Sequence, residues 1–79
     1  MNVIDRLHVN FIGNIAYAIK EIRHFFSRRQ IKIIIMKLRG YKNIEIAKKL
    51  GISPATVTLE IQRIERTFLE DPELREYIS

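Results

Sequence analysis

The segment from Asn43 to Phe68 constrains the fold more than any other. It reads NIEIAKKL, then GIS, then PATVTLEIQRIERTF. Asn43 is a plausible helix cap, and Ile46 and Leu50 recur at the i, i+4 spacing that puts two side chains on one helix face. Gly51 follows, where a helix end commonly needs a positive φ. Ile52 anchors the turn. Ser53 is a strong N-cap residue, and Pro54 fits the first helical position, where a missing N–H costs nothing. Val57, Ile61, Ile64 and Phe68 then make the buried stripe of a second helix. Ala47 is small where the two helices come closest. Two helices joined by so short a turn form a helix-turn-helix, which usually lays its second helix in the DNA major groove.

The exposed side of that second helix follows by subtraction. Ala55, Thr56, Thr58, Leu59, Gln62 and Arg63 occupy its outer face, mostly in the half that enters the groove. Thr56 and Thr58 suit a phosphate or a base edge, and Thr58 and Leu59 suit thymine methyls. Gln62 matches adenine, and Arg63 matches guanine or phosphate. Ser53, with the free N–H groups beside Pro54, and the cations Lys42, Lys48 and Lys49 are the candidate phosphate contacts. Glu60 falls among the outward residues. There it would repel phosphate unless it accepts from cytosine or pairs with Arg63.

The flanks read as helix too. In residues 1–26, Ile4, Phe11, Ala18 and Phe25 recur every seven residues; Ile15 and Ile22 share that period, and Ile12, Ile19 and Phe26 widen the stripe. The spacing predicts a long amphipathic helix, interrupted at Gly13-Asn14. Its face can cover the back of the helix-turn-helix or meet a second copy through Ile4, Phe11, Ile15 and Ile22. Next, Ser27 can cap a helix that Gly40 ends, with the apolar run IKIIIMKL between them. That run is β-branch-rich, but its caps and helical neighbours favour helix. Asp71-Pro72 opens a short acidic helix through Tyr77. The expected architecture is all-α, a single small domain. It divides into an N-terminal helix (1–26), a helix-turn-helix unit (27–69) and a short C-terminal helix (70–79).

Charge is distributed unevenly along the 79 residues. Residues 20–49 carry ten Lys/Arg against two acids, which leaves +8, whereas residues 50–79 carry −3. A basic middle beside an acidic end implies a face for a polyanion. The chain has no cysteine, which excludes disulfides and thiolate metal sites and fits a cytoplasmic location. His8 and His24 stand sixteen apart without acids at ligand spacing, so no metal and no cofactor is expected. No apolar run is long enough to cross a bilayer, and a signal peptide is not expected. No nucleophile with base and orienter, and no phosphate-cradling glycine loop, points to an enzyme.

Residues 26–68 resemble the LuxR/GerE-type helix-turn-helix and align with it without a gap. Phe26-Ser27 stands for the family's Leu-Thr opening, Ile33-Ile34 for its Val-Leu core pair and Gly40 for its glycine-ended first helix. Glu45-Ile46-Ala47, Leu50, Ile52-Ser53 and Thr56-Val57 follow the family's most recognisable run, and Ile61 and Ile64 complete it. The four-residue step from Val57 to Ile61 separates the chain from the region-four domains of sigma factors, whose step is usually three. The chain departs at Lys42, where the family usually has serine, and at Lys37, where it has an apolar core residue. It departs also at Ile31 and Ile35, where charge is usual. These two read as an added interface for the N-terminal helix. By resemblance, Thr58, Leu59, Gln62 and Arg63 face DNA. The resemblance implies a sequence-specific regulator of transcription that binds double-stranded DNA, and one reading head makes so few base contacts that a homodimer is expected. Two alternatives stay open at this point. One is a protein-interaction module that meets a partner such as RNA polymerase. The other is a DNA-binding component of replication, recombination or phage packaging.

Overall fold

The structure is a computed structural model that describes residues 15–77. Among the described residues it is all-α, with no strand, as the apolar spacing requires. Helix α1 spans Ile15–Ile22 and passes into a single 3₁₀ turn over Arg23–Phe25. Helices α2 (Arg28–Leu38), α3 (Asn43–Leu50), α4 (Pro54–Glu70) and α5 (Pro72–Arg75) follow. The helix expected over residues 1–26 therefore ends at Ile22, and Gly13-Asn14 lies outside the described residues. The final helix stops at Arg75 rather than Tyr77.

Local chemistry sets each boundary. The Ser27 hydroxyl accepts from the Gln30 N–H at 3.2 Å, and the Gln30 side chain accepts from the Ser27 N–H at 3.0 Å. This reciprocal capping box satisfies two donors that a helix start otherwise leaves free. Just past the C-cap Arg39, helix α2 is terminated by Gly40, whose φ of +90° lets the Tyr41 N–H turn back to the Met36 carbonyl at 3.0 Å. The cap of α3 is Lys42, one residue before the expected Asn43. The Glu45 carboxylate accepts from the Lys42 N–H at 2.9 Å and so supplies the cap. At the far end, Asp71 caps α5 by accepting from the Glu73 N–H at 2.9 Å. Arg75 donates to the Leu69 carbonyl at 2.7 Å, closing the end of α4.

All five helices contribute to one core. Ile22 comes from α1, Ile33, Ile34 and Leu38 from α2, Ile46 and Ala47 from α3, Val57, Ile64 and Phe68 from α4, and Leu74 from α5. Phe68 lies at the centre, 5.2 Å from the Phe26 ring in a tilted pair. Full burial of such side chains contributes about 1.5–3 kcal/mol each, enough to hold short helices that would not persist alone. Ile31, Ile35 and Met36 are half-buried, so α2 contacts α1 on one side and the α3–α4 unit on the other. Burial raises the Tyr77 phenol pKa above its ordinary value, and the nearby charge of Glu21 on α1 adds to the shift.

This packing revises the expected second-copy face. Ile22 has no exposed surface in a single chain and belongs to its core, so it leaves nothing for a dimer to bury. Ile4 and Phe11, and the Ile15 side chain, lie outside the described residues.

Candidate nucleic-acid interface

The turn between α3 and α4 is built as its residue types require. Gly51 takes φ +67° and ψ 35°, the left-handed region, and the Ala47 carbonyl accepts from the N–H groups of both Gly51 and Ile52. Ala47 is almost wholly buried, so the two helices approach without a larger side chain between them. Ser53 accepts from the Thr56 N–H at 3.1 Å, and its hydroxyl sits 2.8 Å from the Thr56 hydroxyl. Ser53 and Thr56 therefore stabilise the helix start together. Their mutual bond uses one of the two hydroxyl hydrogens, so the pair keeps one to donate to a phosphate.

Of the expected groove residues, Ala55, Thr58, Leu59, Gln62 and Arg63 are exposed and Thr56 is half-buried. Ala55, Leu59 and Gln62 run along the crest of α4, where Leu59 leaves 45% of its surface to solvent. The three expected phosphate lysines, Lys42, Lys48 and Lys49, are exposed as well. Lys49 is partly tethered, its ammonium 5.3 Å from the Tyr41 ring centroid.

Each edge of the crest is tied to helix α2. On one edge the Asn43 amide donates to the Thr58 hydroxyl at 3.5 Å and accepts from the Lys37 ammonium at 3.2 Å. Lys37, which stands where the resembled family usually has an apolar core residue, ends on this bridge. On the other edge Glu60 accepts from Arg29 Nε at 3.0 Å and from Arg63 Nη1 at 3.3 Å, one arginine on each carboxylate oxygen.

Glu60 corrects the outward position expected for it. It is only 4% exposed and holds the inward place three residues after Val57, while the pairing with Arg63 that was expected as an alternative to repelling phosphate is present. Ile61 is half-buried and packs beside the core. A buried carboxylate is tolerated because two guanidiniums satisfy it. Apolar periodicity alone sends a glutamate outward, and the long-range partner Arg29 leaves no local signal. Arg66 was also passed over. It is exposed on α4, four residues after Gln62 and seven after Leu59, a spacing that assigns it to the same crest.

A helix-turn-helix with an exposed, capped second helix and flanking cations is the arrangement that such motifs use to bind nucleic acid. The chain belongs to the luxR family of bacterial regulatory proteins, whose description it matches over residues 24–68. It is also similar to a Pyrococcus furiosus protein named "Putative transcriptional regulatory protein", with 42% identity over 38 residues. That similarity covers 48% of this chain and 27% of the relative, so the matched segment spans about a quarter of that protein. No solved structure matches. Family and relative together support a DNA-binding regulator.

Proposed function

We propose that the chain reads duplex DNA in a sequence-specific manner to regulate transcription, with α4 in the major groove. Ala55, Thr56, Thr58, Leu59 and Gln62 meet base edges and groove walls, and Arg63 meets either a base edge or a flanking phosphate. Lys42, Lys48, Lys49 and Ser53 hold the phosphates on either side. The observation that carries this reading is the exposed crest of α4, aligned beyond the Ser53 cap and braced along both edges. The unbroken core from Ile22 to Leu74 supports treating the division at 26 and 69 as parts of one domain. Two copies on a two-fold site supply the discrimination that one head lacks, and a cytoplasmic location follows from a DNA target.

Fluorescence anisotropy with duplex DNA at two salt concentrations tests the proposal. Binding through several phosphates must weaken steeply as salt rises. No binding to any duplex even at low salt defeats the reading and leaves a protein-binding role for the same crest.

A further inference from the structure

We propose that Arg29 and Arg63 form a single phosphate-binding notch on the seam between α2 and α4, with Glu60 as the residue that positions both. The inference rests on the DNA-binding reading and adds a contact from the supporting helix. Arg29 and Arg63 stand on the two oxygens of one carboxylate, so they lie side by side. The carboxylate is 5% exposed, whereas the arginine side chains are 48% and 59% exposed. The anchor is therefore inside and the cationic heads are outside. Each guanidinium spends one donor on Glu60, and among the described residues no other hydrogen bond engages either head. Several N–H donors on each remain for an anion. Two positive charges against one negative leave the group cationic, which suits a phosphate diester and repels a second cation.

The notch lies beside the crest of α4, at the edge where Arg63 was expected to meet guanine or phosphate. Its tether to Glu60 assigns Arg63 to the backbone that flanks the groove. Glu60 also removes the conformational freedom that a long arginine otherwise loses on binding, so it strengthens DNA binding despite its negative charge.

That sign makes the proposal testable. Glu60→Gln raises the net charge by one, and simple Coulomb attraction then predicts tighter binding to DNA. Loss of the brace predicts the opposite, about tenfold weaker binding at low salt. Arg29→Ala, at a half-exposed side chain, should weaken binding to every duplex and lower the slope of log K against log salt by about 1. Thermal melting of each variant reports folding separately from binding. Binding by Glu60→Gln that equals or exceeds wild type overturns the proposal, as does an unchanged salt slope in Arg29→Ala. Where Glu60→Gln fails to fold, the Arg29→Ala and Arg63→Ala cycle decides. A shared phosphate requires losses that do not add, and independent losses overturn the notch. If wild type binds no duplex, the broader reading has failed; if wild type binds and these variants behave otherwise, only the notch has.

Discussion

Gly51 carries a conformational demand that no other residue type meets freely. Its φ of +67° lies in the left-handed region, and a Cβ built there meets no heavy atom within 4 Å. The cost of Gly51→Ala is therefore backbone strain and not collision, about 1–2 kcal/mol. Urea unfolding should show that loss with an unchanged slope, and a larger loss would mean that the turn itself rearranges. Gln62 poses the opposite case, since its exposed side chain leaves the core untouched. Gln62→Ala should keep the wild-type melting temperature but cost about 1–3 kcal/mol of discrimination at one base position, read by binding-site selection. An unaltered site preference would remove Gln62 from the reading set.

At the scale of helices, end signals and apolar spacing made most of the architecture legible. Ser27, Gly40, Gly51, Ser53-Pro54 and Asp71-Pro72 each act within a few residues of themselves, so the chain order displays them directly. The polar braces were hidden because they join distant residues: Arg29 with Glu60, and Lys37 through Asn43 with Thr58. Whether a glutamate points inward depends on a partner thirty-one residues away, and no helical period encodes that. The exposed crest of α4 was readable in outline because exposure on one helix follows from its buried stripe. Helix α3 gives a further prediction. Lys48 and Lys49 share its last turn and are exposed. Replacing both by Ala should lower the salt slope of DNA binding by about 2 and weaken all duplexes alike. A selective loss for one sequence would place them at bases instead.

The whole molecule raises the question of what Ile22 is for. Its period matches the N-terminal stripe, so the residue looks suited to meeting a second copy; its complete burial says that the monomer already uses it. The two roles differ in how stability responds to protein concentration. A core side chain stabilises each chain by itself, and Ile22→Ala should cost about 2–5 kcal/mol at every concentration. An interface side chain stabilises by mass action, so its loss would shrink on dilution toward the monomer. Chemical unfolding of wild type and Ile22→Ala at two widely separated concentrations separates them. Light scattering across the same dilution reports whether wild type pairs at all. A concentration-independent loss in a protein that still dimerises would place the proposed two-fold contact elsewhere on the chain. A loss that vanishes on dilution would overturn the core assignment of Ile22.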